Sequence, residues 1–378
     1  METLQRTANR GSISTGFDID NSLKLEEDNS EYLQRATGGG NGDTQKHTIS
    51  VWVKRTEITK TSFILGFANI GRLRFESDDK IEYQFRSGRK LETKRKFRDT
   101  SAWYHIVVVA DSSLATSTDR MKLYINGVRE TDLLTYIPQD QNQGSPAWGV
   151  YNTYNYRIGY SGNAGENFNG YIADAYYING QTLDPTDFGE FDEDSGIWKP
   201  KAFTGTFGSL DNYLDFSNSS NLGEDANGGT DLSSNNITSA DQATDTPTNN
   251  FCTWNPLDTG SGTTFSTGNL DTDTGDNKND VGTIGLTSGK WYFEVKYAGA
   301  AIAGWQSEHL AAQNLNGTNL NDNHGSVAYS TYHGAVFHNS STDGTMSNDR
   351  DGGTIGVAFD LDNNKIYFSN NVKIILIV

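Results

Sequence analysis

Apolar side chains fall at every second position in run after run of this chain, and no 3.6-residue repeat separates the runs. In "HTISVWVKR" Ile49, Val51 and Val53 alternate with Ser50, Trp52 and Lys54, and in "GKWYFEVKY" Trp291, Phe293, Val295 and Tyr297 share one side. A period of two places successive side chains on opposite faces of an extended strand. "AWYHIVVVA" is apolar nearly throughout, as a central strand covered on both faces should be, and Tyr171 to Ile178 also reads as covered on both sides. The tetrapeptide Tyr-Ile-Asn-Gly occurs twice, at Tyr124–Gly127 and Tyr177–Gly180. Asn and Gly tolerate the positive φ of a tight type I′ turn, so each copy reads as a strand ending. Strand following strand in this way predicts an all-β chain built of antiparallel sandwiches.

The length of 378 residues exceeds one typical core and predicts roughly two domains. A formal charge of −18 would repel a phosphate backbone, which argues against general nucleic-acid binding. The one cysteine, Cys252, excludes an internal disulfide framework and is expected to be a small buried residue beside Phe251 and Trp254. "METLQRTANRGS" has no apolar signal core, and no stretch approaches the length that crosses a bilayer. Synthesis in a cytoplasm, without membrane insertion, is the expectation.

Four regions follow. Residues 1–16 form an N-terminal arm and 17–191 a first sandwich. Residues 192–250 read as an acidic polar spacer, because between Ser217 and Asn250 only six of thirty-four residues are apolar, five are acidic and none is basic. So few apolar groups do not offset the entropy of ordering. Residues 251–378 form a second sandwich, in which "GTIGVAFDLDNNKIYFSNN" gives two strands about an Asx-rich turn.

The order Glu31-Tyr32-Leu33, "TISVWVKR", "WYHIVVV", "KLYINGVRE" and "FNGYIADAYYINGQTL" resembles laminin-G-like domains of the concanavalin A-like jelly-roll class over roughly Phe17 to Phe191. From Ser288 to Asn371, "SGKWYFEVKY", "IAGW" and "GTIGVAFDLDNNKIYF" resemble a SPRY domain. With "YLDFSNSSNLG" between them, the pair is similar to virion proteins of marine tailed bacteriophages, where such modules sit on fibres and engage host surfaces. The second match departs from its family after "YFSNN", where "VKIILIV" follows. That tail can be a last strand of the sandwich, a strand donated to a neighbouring subunit, or the product of an altered reading frame. Pairing within an assembly is the expectation, since an exposed version would be an aggregation edge.

Several residue groups are candidates for chemistry. Trp148, Tyr151, Tyr154 and Tyr156 crowd a polar, Gly-rich segment, where exposed rings would stack on sugar faces while Asn152 and Asn155 bonded hydroxyls. "RSGRKLETKRKFR" supplies Arg86, Arg89, Lys90, Lys94, Arg95, Lys96 and Arg98, a basic patch for anionic glycans or an acidic partner. Glu190, Asp192 and Asp194 would share a face about 7 Å apart in a strand, resembling the acid and nucleophile array of laminarinase-type glycosidases. The group follows the last laminin-G strand, however, and carries Asp where that motif has Glu, so no catalytic residue is expected. "DTDTGDNKND", Asp271 to Asp280, fails the EF-hand template, with Gly275 fifth and Gly282 twelfth. Calcium through another ligand set stays open. His324, His333 and His338 match no zinc spacing.

These readings converge on a virion structural protein without enzymatic activity, a fibre or decoration subunit binding host-surface carbohydrate or neighbouring virion proteins as a homo-oligomer. The alternatives are a polysaccharide depolymerase and a purely architectural cement protein.

Overall fold

The computed structural model describes residues 16–38, 40–67, 70–150, 153–163, 165–273, 279–306, 326–338, 341–345, 351–371 and 373–377. All but the last residue of the expected N-terminal arm lies outside them. The chain divides into two compact units, Met1–Cys252 and Thr253–Val378. Every strand pairing among the described residues is antiparallel, and three 3₁₀ turns are the only helical elements there.

Two eight-stranded sheets build the first unit. One runs in the order β10 (Val128–Arg129), β9 (Met121–Ile125), β8 (Tyr104–Asp111), β3 (Lys46–Arg55), β13 (Gly170–Asn179), β1 (Ser22–Leu25) and β18 (Gln242–Ala243), with β16 (Asn212–Leu214) also on β13. The other runs β11 (Leu133–Ile137), β7 (Arg89–Thr93), β6 (Ile81–Arg86), β5 (Gly71–Phe75), β4 (Ser62–Phe67), β12 (Tyr156–Ile158), β2 (Tyr32–Arg35) and β17 (Ser233–Asn235). Ile49, Val51 and Val53 of β3 and Ile106 and Val108 of β8 share a buried core with Leu65, Leu73, Tyr83 and Leu91 of the facing sheet. The alternation in the sequence is therefore the alternation between core and outer face.

The first Tyr-Ile-Asn-Gly closes the β9–β10 hairpin, with Asn126 at φ +50° and Gly127 at φ +77°, the pair of positive angles that a type I′ turn needs. The second ends β13 without folding back on it. Its Gly180 also has positive φ, but the next strand, β14 (Gly189–Phe191), pairs with β15 (Trp198–Pro200).

Residues 192–250 are not a spacer. They supply β16, β17 and β18 to the edges of both sheets and cover the outer face of the first. Trp198 joins Trp52, Trp103 and Tyr171 in one buried cluster, and Phe203, Phe207 and Tyr213 pack on Tyr176, Ile178 and Phe188 in another. Leu214, Phe216, Leu222 and Leu232 enter the main core. Few as they are, these apolar groups are buried or, at Phe203, Phe207 and Tyr213, half-buried, and carboxylates satisfy the backbone where no ladder does. Asp211 accepts from the N–H groups of Asn179 and Gly208 at 2.8 and 2.7 Å, and Asp225 from those of Tyr213 and Asn227 at 3.1 and 3.2 Å. Counting apolar residues alone underestimates a segment folded this way. Cys252, expected to be buried, is exposed at the end of this unit.

In the second unit β19 (Trp254–Thr259) pairs with β22 (Asp280–Gly282), and β20 (Thr264–Ser266) with β21 (Asp271–Asp273). A four-stranded sheet runs β23 (Lys290–Tyr297), β28 (Gly353–Asp360), β29 (Lys365–Asn370) and β30 (Lys373–Ile377), and another β24 (Ile302–Gln306), β25 (Ser326–Ser330), β26 (Ala335–His338) and β27 (Ser341–Thr345). Tyr297, Tyr329, Val336, Ile355, Val357 and Phe368 form its core. The apolar tail expected to pair within an assembly instead returns on its own chain. β30 lies in register with β29 from Asn370↔Lys373 to Ile366↔Ile377, after a turn in which Asn371 takes φ +57°.

Candidate functional site

Of the two sheets in the first unit, the first is closed on both sides. Under its outer covering, Lys54 Nζ donates to Asp245 Oδ2 at 2.7 Å, to Asn250 Oδ1 at 2.8 Å and to the Phe251 carbonyl at 2.8 Å. Burial pushes the Lys54 ammonium below its ordinary pKa even though Asp245 opposes the shift. His105 lies in the same layer, stacked on Trp52 with ring centroids 4.6 Å apart. Trp198 Nε1–H can only donate, and it points at His105 Nδ1 from 2.9 Å. The proton of His105 therefore sits on Nε2 and goes to Ser50 Oγ at 2.8 Å. These polar groups are sealed in.

The second sheet keeps an outward face. Leu33, Tyr156, Ile158, Leu65, Leu73, Tyr83 and Leu91 point to the core, so their neighbours in sequence point away from it. Strand register then sets Gln34 opposite Arg157, Arg157 opposite Gly66, Gly66 opposite Arg72, Arg72 opposite Gln84 and Gln84 opposite Lys90. A polar row thus crosses six strands. Gly66 has no side chain because β5 runs too close: an added Cβ would lie 2.3 Å from the Gly71 carbonyl oxygen. Beside the row, Glu82 gathers Arg72 at 3.0 Å, Arg74 at 3.2 Å and Lys90 at 2.6 Å. Burial pushes its carboxyl up, but the Lys90 hydrogen bond and the two guanidinium groups outweigh burial and hold it below its ordinary value. Arg72, Arg74, Glu82, Gln84, Lys90 and Glu92 line a shallow trough of about 470 Å³ on this face.

The aromatic candidates are displaced from their expected role. Trp148 is fully buried, its Nε1 donating to the Gln84 carbonyl at 3.1 Å and its ring 4.6 Å from that of His47. Tyr156 faces the core from β12. Neither ring has a face to offer a sugar. Tyr154 packs half-buried against the same core, and Asn155 Oδ1 accepts from the Thr37 N–H at 3.0 Å. Tyr151 and Asn152 lie outside the described residues.

Nor is the basic run one patch. Arg86 and Arg89 sit at the β6–β7 turn, Lys90 within β7, and Lys94, Arg95, Lys96 and Arg98 beyond its other end. Arg89 pairs with Asp140, Lys94 with Asp132 and Arg98 with Asp79, at 3.1, 2.6 and 2.7 Å. Arg95 lies over the Phe97 ring. The acidic trio is no array either. β14 ends at Phe191, Glu190 and Asp192 both turn to Lys199 at 3.4 and 3.3 Å, and Asp192 accepts from the Ser195 N–H in the turn that leads to β15. Asp194 is exposed in that turn.

Within "DTDTGDNKND", Asp280 accepts from the hydroxyls of Thr259, Thr263 and Thr272, and residues 274–278 lie outside the described residues. His333 meets Ser330 at 3.2 Å, His338 meets Asp343 at 3.2 Å, and His324 is not among the described residues. No three side chains of metal-binding type converge among the described residues.

The residues that do share an open face with the row are Tyr32 and Tyr160, whose rings lie 4.9 Å apart, with the Arg157 guanidinium 5.4 Å from the centre of Tyr160. All three are half-buried. Tyr160 and Arg157 belong to the very stretch singled out for its aromatics. Alternation in "YRI" and "YLQR" was the signal that set Arg157, Tyr32 and Gln34 outward.

Comparison with known proteins places two domains in this chain. Residues 27–186 match Laminin_G_3, the concanavalin A-like lectin/glucanases superfamily, and residues 290–378 match the SPRY domain. Among solved structures, a provisional carbohydrate-binding protein from Bacteroides ovatus is 14% identical over 60% of this chain and 60% of its own length, less than two thirds, with a TM-score of 0.38. The SAP-like pentraxin of Limulus polyphemus, a heptamer, is 15% identical over 44% of this chain and 80% of its own, with a TM-score of 0.32. Domain 4 of the arabinanase AbnA from Geobacillus stearothermophilus, solved with arabinotriose, is 18% identical over 44% and 73%, with a TM-score of 0.31. No curated protein matches the chain.

Proposed function

We propose that this protein is a carbohydrate-binding subunit without catalytic activity, and that it serves in the particle of a tailed bacteriophage as a fibre or decoration component. The observation that carries the binding reading is the asymmetry of the first unit. One sheet is covered on both faces, and the outward face of the other carries the half-buried Gln34, Arg157, Arg72 and Lys90 in one cross-strand row, with Gly66 and the buried Gln84 between them. Such groups donate and accept the hydrogen bonds that sugar hydroxyls need. Contacts of this shallow kind are weak one at a time, and repetition of the subunit on a particle multiplies them. Supporting the choice of ligand is the match to a lectin and glucanase superfamily. The virion assignment draws on the order of laminin-G-like, polar and SPRY-like segments in the sequence. On this reading the chain is made in the host cytoplasm, assembles as a homo-oligomer with other virion proteins and meets its glycan at the host surface.

A glycan array probed with a multivalent preparation of the whole chain tests the binding reading. Retention of a defined glycan class is the expected result, and retention of none would favour an architectural cement protein. New reducing ends released from polysaccharide, lost in Glu190→Gln, would establish a depolymerase instead. Antibody labelling of purified particles tests the virion assignment.

A further inference from the structure

Resting on the reading that the free face of the second sheet binds carbohydrate, the geometry points to an acidic, uronic-acid-containing glycan as the ligand, held at its anchoring end by Arg157, Tyr160, Tyr32 and Gln34. Arg157, like Arg86 at the far end of β6, stands apart from the paired cations of this face. Arg72, Arg74 and Lys90 are each committed to Glu82, whereas Arg157 is in no ion pair among the described residues. An unpaired guanidinium fixed on the surface of a chain with net charge −18 is suited to an anion from outside.

Its side chain is already oriented. Arg157 Nε donates to Gln34 Oε1 at 2.7 Å, and the guanidinium lies near the Tyr160 ring at a distance typical of cation–π contacts. Held through Nε, the fork offers its Nη groups, and two parallel donors match the two oxygens of a carboxylate. Gly162 keeps that end clear: a Cβ there would lie 2.8 Å from Arg157 Nη1, and φ at this position is +98°. Tyr32 and Tyr160, half-buried and tilted at 38° with ring centroids 4.9 Å apart, supply the apolar surface on which a sugar ring lies while its carboxylate reaches Arg157. The amide nitrogen of Gln34 is placed for a ring hydroxyl.

A linear polymer leaving this subsite can follow the polar row. Two strands on, past the bare backbone of Gly66, stands Arg72, roughly 10 Å away by strand spacing. Its charge is shared with Glu82, so it serves hydroxyls better than a second carboxylate.

Titration calorimetry of the full chain with oligogalacturonates and with neutral oligosaccharides of equal length tests this. Binding of the acidic oligomers is expected, weakening with added salt. Arg157→Gln is expected to weaken it at least tenfold and to flatten the salt dependence. Arg157→Lys, which keeps the charge and loses the fork, is expected to fall between, and Lys94→Gln, at a paired lysine off this face, to change nothing. Thermal melts of each variant separate lost binding from lost fold. Equal binding of neutral oligomers, unaltered by Arg157→Gln, would overturn the acidic assignment and leave the carbohydrate reading standing. Binding of a sulfated glycan alone would overturn the uronate assignment, and capture of no glycan of any class would overturn both.

Discussion

Lys54 and Asp245 stand 191 positions apart in the chain and meet inside the first unit with Nζ 2.7 Å from Oδ2. Asp245 Oδ1 accepts from Trp103 Nε1–H at 2.9 Å, so one carboxylate ties the covering layer to both β3 and the start of β8. Removing one member of a buried pair strands the other charge. Asp245→Ala is therefore expected to cost about 3–5 kcal/mol in urea denaturation. It should also raise hydrogen exchange throughout residues 192–250. A variant as stable as the parent would mean that this segment is the loose spacer its composition suggests.

Asp174 sits in a bulge of β13 at φ +47°, fully buried, with Oδ1 accepting from the Tyr176 hydroxyl at 3.0 Å and the Tyr213 hydroxyl bonding the same carboxyl. Burial pushes its carboxyl up to about 7. With the folded value above the unfolded one, the folded state holds the proton longer, and stability falls as pH rises from about 4 to about 7. Asn keeps the shape and tolerates the positive φ. Asp174→Asn should thus gain roughly 2–4 kcal/mol over the parent at pH 8 and nothing near pH 4. Parallel stability curves for the two proteins across that range would rule the effect out.

The two buried imidazoles act in the opposite direction. Burial lowers His47 and His105 to about 3. Their folded values lie below the unfolded one, so stability is full above about 6.5 and is lost as pH falls toward 3. Nitrogen-detected imidazole spectra at pH 5 should show both rings neutral, with the proton of His105 on Nε2. A charged ring at that pH, or the proton on Nδ1, would contradict the Trp198 contact.

Trp148 distinguishes a core role from a sugar platform. Truncating a large buried ring typically costs 3–5 kcal/mol, and Trp148→Ala should lower the melting temperature steeply. If instead the variant melted like the parent and only lost glycan, the ring would have to be accessible.

Gly127 supports the hairpin from underneath. A Cβ there would lie 2.3 Å from the Trp198 ring, in a backbone conformation that disfavours L side chains. Gly127→Ala is expected to cost on the order of 1–3 kcal/mol in chemical denaturation. The same change at the open Gly88, also at positive φ, lacks the steric part of that cost.

Much of this architecture could be read from the alternation of side chains. The nearly unbroken apolar run of β8 and the heavy β13 were expected to be covered on both faces, and both are. What covers them was not legible, because the covering segment carries few apolar residues and relies on carboxylates such as Asp211, Asp225 and Asp245, whose partners lie far away in sequence. The candidate site shows the same division. Tyr32 and Gln34 alternate with Leu33 and Arg35, and Arg157 sits between Tyr156 and Ile158, so their sidedness is written in the pattern. Trp148 precedes β12 in a stretch without period, where nothing local distinguishes a ring that plugs the core from one that greets solvent. The chain's return to β30 passes through Asn371 at φ +57°, an angle that the alternation of side chains does not announce.

β1 and β18 join through Ser22↔Ala243 and Leu23↔Gln242, and Thr248 bonds both the N–H and the carbonyl of Ile19. The polypeptide thus enters and leaves the first unit side by side. Tension applied across those two points loads the pairs in sequence and peels them like a zipper instead of shearing them together. The buried bonds of Lys54 to Asp245, Asn250 and Phe251 lie nearer the exit than the β1–β18 pairs, so a pull from residue 252 meets that anchor before the seam can open.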